Sequence, residues 1–176
     1  WLNFGIRWFV FVTLSALAGL WFTWLVVMRA ALGDVWQVAP SLVPRIRRYA
    51  MLAGLLYLVG TVLALIGQVW GQTEGDFLGA VSETLTETRW GTFWVLRILF
   101  GALVTVGLTF APWWWVRRAR VWSILLLVAS ALVVLPHAMV SHASASRYGR
   151  TAAIAMDYYH LIGMCIWFGG LLLILV

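Results

Sequence analysis

Apolar runs of about twenty residues recur along the chain with short polar connections between them, and no other feature leaves so few folds open. An α-helix rises about 1.5 Å per residue, so roughly 20 residues cross a hydrocarbon core of about 30 Å with every backbone group bonded inside the segment. Five such runs are read, at about 8–28, 49–70, 92–111, 121–140 and 152–176. With 64% hydrophobic and 10% charged residues, the 176-residue chain leaves little room for a soluble domain beside them. The expected architecture is all-α: a single polytopic membrane helix bundle over 1–176, with the lipid bilayer as its first partner. The chain opens on Trp1, shows no cleavable leader and ends at Val176 within the apolar run GGLLLILV, so a piece of a longer protein is expected.

In a soluble protein a net charge of +6 would suggest nucleic acid; in a membrane chain the same charge is read loop by loop, and no nucleic-acid partner is expected. All twelve basic residues are arginine. The first connection carries Arg29, Arg45, Arg47 and Arg48, with Pro40 and Pro44 expected to break any helix there; the third carries Arg117, Arg118 and Arg120 after Pro112. Seven arginines thus stand against Asp34 alone in those two connections, while the second is acidic through Glu74, Asp76, Glu83 and Glu87. The positive-inside bias places the first and third connections in the cytoplasm. The N-terminus, the acidic connection and the connection near residue 145 then face outward, across a bacterial inner membrane.

Within the acidic connection Phe77, Val81 and Leu85 recur every four residues behind Asp76, a residue type that caps helices. That pattern predicts a short amphipathic helix over 76–88 along the outer interface; a solvated loop is the alternative. The thirteen tryptophans gather near the ends of the runs, where interfacial belts form. The lone cysteine, Cys165, excludes an intrachain disulfide and is expected to serve packing.

The segment PHAMVSHASASRYG holds His137 and His142, two of only three histidines, and the third, His160, follows about two turns into the last run. Met139 lies beside the first two. Asp157, His160 and Met164, at spacings of three and four, are expected on one helical face, and Met156 lies one turn before His160. Imidazole suits several transition metals and thioether favours Cu(I), so a mixed set at a membrane entrance points to copper before zinc or magnesium. The candidate ligands are His142, His160 and His137 with Met139, Met156 and Met164. Asp157 is a candidate to orient an imidazole, or else pairs with Arg147 or Arg150. Arg97, six residues past Gly91 inside an apolar run, is a functional suspect by its depth, with snorkelling to the outer headgroups as the alternative.

These residues resemble a known family. The elements TRWGTFWVLR, SHASAS and DYYHLIGMCIWFGGLL look like the membrane domain of the bacterial copper-resistance protein D (CopD/PcoD) family and its fused copper-import relatives. Its Ser-His-Ala element is matched by Ser141, His142 and Ala143. A helical histidine followed by Trp-x-Gly-Gly-Leu is matched by His160, Trp167, Gly169, Gly170 and Leu171. Thr88, Gly91 and Arg97 match a Thr-x-x-Gly-x5-Arg element. The resemblance covers about 80–176, and the first two helices only by hydropathy. It implies copper movement across the inner membrane, downstream of a periplasmic copper-binding protein or a fused domain of that type. The family usually has about eight helices, more than the five runs read here.

Three functions therefore remain open. The first is a copper-handling protein that receives copper at the outer face. The second is a membrane redox subunit in which two histidines from facing helices hold haem b. The third is an accessory subunit of a larger membrane complex with structural histidines. An enzyme is not expected, because the chain has no paired-carboxylate or nucleophile arrangement and Glu83 and Glu87 look like a solvated helix face.

Overall fold

The computed structural model describes residues 2–28, 31, 42–71, 75–110, 120–145 and 149–175. Arg29, Asp34, Pro40, Glu74, Pro112, Arg117, Arg118 and Arg147, all named above, lie outside the described residues, as do Trp113 to Trp115 of the thirteen tryptophans.

Every element among the described residues is helical. α1 (Leu2–Phe22) runs on into a wider π-helical turn, Thr23–Met28, and is followed by α2 (Leu42–Trp70), α3 (Phe77–Glu87) and α4 (Arg89–Phe110). α5 (Arg120–Met139), one turn of 3-10 helix (His142–Ala145) and α6 (Arg150–Leu175) complete the order. The fold class is therefore the expected one. Among the described residues four stretches are long and apolar enough to cross a membrane: Phe4–Met28, Pro44–Trp70, Arg89–Thr109 and Arg150–Leu175. The apolar stretch of α5, Ile124–Met139, is shorter, so length and composition support four crossings where the sequence suggests five.

α2 starts earlier than its hydropathy implies. Pro44 sits in its first turn, where backbone N–H groups have no helical partner and a missing one costs nothing, so the proline opens the helix instead of breaking it. Arg45, Arg47 and Arg48 thereby become helical. Arg47 reaches across to the end of α4 and donates from Nε to the Leu108 carbonyl at 2.5 Å and from its terminal nitrogen to that of Thr109. These are last-turn carbonyls that α4 itself cannot satisfy.

The bundle closes as a ring in which α1 packs on α2, α2 on α4, α4 on α5, α5 on α6 and α6 on α1, while α1 also reaches α5. α1 is the most enclosed of the spanning helices, with 72% of its most apolar window buried against 17% for α6. That burial overturns the interfacial reading of two tryptophans: Trp21 and Trp24 are core residues, 1% and 0% exposed. Trp94 is buried as well and donates from Nε1 to the Thr61 carbonyl of α2 at 2.8 Å, whereas Trp8, Trp70 and Trp167 stay exposed. The outer faces of α2 and α4 carry exposed Leu52, Leu55, Val59, Val62, Leu99, Leu103 and Val106. So much contiguous apolar surface fits lipid and not water.

α1 and α6 come into close backbone contact at Gly19 and Gly169. A Cβ on Gly169 would overlap the Gly19 backbone, and one on Gly19 would overlap the Cys165 carbonyl. Cys165 is fully buried in the same interface, 3.9 Å from Ser15 Oγ. Just beyond it, Thr23 Oγ1 donates to the Ile166 carbonyl at 2.9 Å.

A helix does form behind Asp76, whose side chain caps α3 by accepting from the Gly79 N–H at 2.9 Å. Phe77, Val81 and Leu85 turn inward against Leu65, Val69 and Trp94.

Candidate functional site

Alternating helix directions bring the start of α1, the end of α2, the start of α4, the end of α5 and the start of α6 to one end of the bundle. Gln68, at that end, lies about 30 Å along α2 from Arg47 at roughly 1.5 Å per residue. Here the helices enclose a cavity of about 610 Å³. Its polar lining includes Arg7, Gln68, Arg97, His137, Ser141, His142 and Asp157, and Ile6, Val10, Phe11 and Leu161 supply apolar wall.

His137 comes from the last turn of α5 and is 5% exposed. Its Nε2 is 3.0 Å from the hydroxyl of Tyr57 on α2, and its ring lies beside those of Phe11 and Tyr57, with centroids 5.6 and 5.9 Å away. With Nε2 engaged by the phenol, only Nδ1 remains for another partner. Next to it Pro136 interrupts the helical ladder, and two carbonyls of that last turn are answered from α4. Arg89 donates from Nη2 to the Met139 carbonyl at 3.2 Å, and Arg97 from Nη2 to the Pro136 carbonyl at 3.5 Å. The Nε of Arg97 is buried without a hydrogen-bond partner. Arg97 thus faces the cavity and does not snorkel to headgroups.

His142 is exposed and sits in the 3-10 turn that rims the cavity. Ser141 Oγ donates to the Ala138 carbonyl at 2.9 Å, and the Ser144 N–H donates to that of Ser141 at 3.0 Å, which ties the turn to the end of α5. The Thr88–Gly91 part of the third motif is a cap for α4. Thr88 Oγ1 accepts from the Gly91 N–H at 2.9 Å, and a side chain on Gly91 would strike the backbone of Thr84 and Leu85. The cap fixes the start of the helix that carries Arg97.

The candidates on α6 separate by rotation. Three residues turn a helix through about 300°, so His160 lies about 60° round from Asp157, and this suffices to divide wall from periphery. Asp157 lines the cavity and buries an unpartnered Oδ2. Met164 packs against the main core, whereas His160 and Met156 are exposed on the outside of the bundle and absent from the cavity wall. Met139 is half-buried at the end of α5. Among the described residues no three of His, Cys, Asp or Glu come together as a metal-ligand group. The structure places His137, His142, Asp157 and Arg97 around one cavity. It adds Arg7 and Gln68, which sequence reading passed over: both sit near the end of an apolar run, where a polar residue attracts no notice.

Residues 1–151 match the family model of the copper resistance protein D-like, N-terminal domain. The matched span takes in α1 and α2, which the sequence attached to that family by hydropathy alone, together with Thr88, Gly91, Arg97 and the Ser141–His142–Ala143 element. It ends before His160 and before Trp167, Gly169, Gly170 and Leu171. No curated relative and no solved structure matches the chain.

Proposed function

The chain belongs to the copper resistance protein D-like family, and from that premise we propose that it receives copper at the periplasmic face of a bacterial inner membrane and supports its import. One observation carries this reading: His137 and His142, from α5 and the turn after it, line the same cavity at the end of the bundle away from Arg45, Arg47 and Arg48. The positive-inside bias assigns those arginines to the cytoplasm and therefore the cavity and the N-terminus to the outside. In this arrangement 1–176 is one transmembrane domain, α5 is a fifth crossing, and α3 lies along the outer interface.

Copper is cargo here, and sparse ligands suit cargo, because a conducting site binds firmly enough to capture and weakly enough to release. His142 at the rim is the receiving imidazole and His137 the deeper one, offering Nδ1, with Met139 nearby. Asp157 supplies the carboxylate of the wall. His160 and Met156, on the outer face of α6, join the path where a further helix or a periplasmic copper-binding protein or fused domain covers that face. Met164 packs against the core. No catalytic step is assigned.

The test is copper accumulation in cells carrying the full-length protein. His142→Ala and His137→Ala are each expected to lower it several-fold; wild-type accumulation in both ends the reading. A Soret band in the purified protein would instead favour a haem b subunit, and altered assembly with unchanged copper content would favour an accessory subunit.

A further inference from the structure

Charge in the cavity is out of balance. Arg7 and Arg97 stand against the single carboxylate of Asp157, and with the imidazoles counted neutral this leaves one positive charge beside apolar wall. Arg7 is exposed and Arg97 half-buried on the wall of the same cavity. Arg97 makes one long contact, to the Pro136 carbonyl at 3.5 Å, and its Nε has no partner. Asp157 does not answer it through Oδ2, which is buried and equally unpartnered. A guanidinium withdrawn from water without a counter-charge is costly, and its fork of donors matches the oxygens of an oxyanion.

We propose that the cavity is an anion site that seats one singly charged phosphate group against Arg7 and Arg97, with an apolar body lying along Val10, Phe11 and Leu161. A volume of about 610 Å³ exceeds what a bare ion fills and falls in the range of organic-ligand pockets. A phosphodiester carries the single negative charge that cancels the excess. The group is either the headgroup phosphate of a membrane lipid entering from the outer leaflet or a free phosphate. The inference stands without copper; if both are correct, the bound phosphate removes the net positive charge that would repel a metal cation from His142.

Native mass spectrometry of the full-length protein in neutral detergent tests it, with three probes offered separately: dihexanoyl phosphatidylglycerol, inorganic phosphate and dihexanoylglycerol. The expected result is a one-to-one adduct with phosphatidylglycerol or phosphate and none with dihexanoylglycerol. That adduct should weaken about tenfold or more in Arg97→Gln and in Arg7→Gln and persist in Arg48→Gln, an exposed residue of the other end. An adduct with the lipid identifies a headgroup, and one with phosphate alone keeps the anion site but overturns the apolar body. No adduct with either phosphate probe overturns the proposal, as does equal uptake of dihexanoylglycerol or undiminished binding in Arg7→Gln and Arg97→Gln. Arg7→Gln carries the test where Arg97→Gln does not fold, and since no readout involves copper, its failure is separate from failure of the import reading.

Discussion

The hydroxyl of Tyr57 in α2 lies 3.0 Å from Nε2 of His137 in α5, and the two side chains are 0% and 5% exposed. This bond joins two helices and settles which imidazole nitrogen is left to face the cavity. Tyr57→Phe keeps the ring and removes the partner, so a buried nitrogen is stranded at a cost of about 1–3 kcal/mol. A double-mutant cycle of Tyr57→Phe with His137→Ala, read by thermal unfolding in detergent, should give a coupling of about 0.6 kcal/mol or more, the ordinary size of an interhelical bond in a membrane protein. Zero coupling would mean that the bond does not hold the helices together.

Gly169→Ala inserts a methyl group where α1 and α6 backbones meet, and overpacking of this kind costs about 1–3 kcal/mol. Gly163→Ala, two turns earlier on α6 with open space around it, is the control and should be neutral or slightly stabilising. Cys165, buried between the same helices, reports the difference: a maleimide should label it faster in Gly169→Ala than in the wild type and no faster in Gly163→Ala.

Arg47 is bonded to the carbonyls of Leu108 and Thr109, so Arg47→Gln should lower stability by about 1.5–3 kcal/mol, as loss of hydrogen bonds from a charged group does. Arg48→Gln, exposed one residue on, should cost almost nothing. Equal losses in the two variants would show that charge near the membrane surface, and not the bonds to α4, is what matters.

Asp76→Ala removes the acceptor for the Gly79 N–H and should weaken α3 by about 1 kcal/mol. Hydrogen exchange should rise at the start of α3 and stay unchanged in α4, whose start has its own cap at Thr88.

Much of the fold was legible because its determinants are local. The length of an apolar run decides whether a helix spans, and Asp76 with Phe77, Val81 and Leu85 decides where a short one starts and which side it buries. The first turn of α2 is not legible in this way: Pro44 reads as a breaker, and whether proline breaks or opens a helix depends on which residue begins it. The site was legible in type and incomplete in membership. His137, His142, Asp157 and Arg97 drew attention as polar groups in apolar surroundings, whereas Arg7 and Gln68 sit near the ends of apolar runs, where polar residues are ordinary.

By itself the amino-acid order determined the helices, their membrane setting and the family, since hydropathy, caps and motif spacing act over a few residues at a time. Only the tertiary structure decided that α1 lies inside the ring, that Trp21 and Trp24 are core, that His160 turns outward while Asp157 turns in, and that two guanidiniums share a cavity with one carboxylate. Those outcomes depend on which helix packs beside which and on rotations of some tens of degrees about each axis. Residues distant in the chain set them through contacts such as Gly19 against Gly169 and Tyr57 against His137.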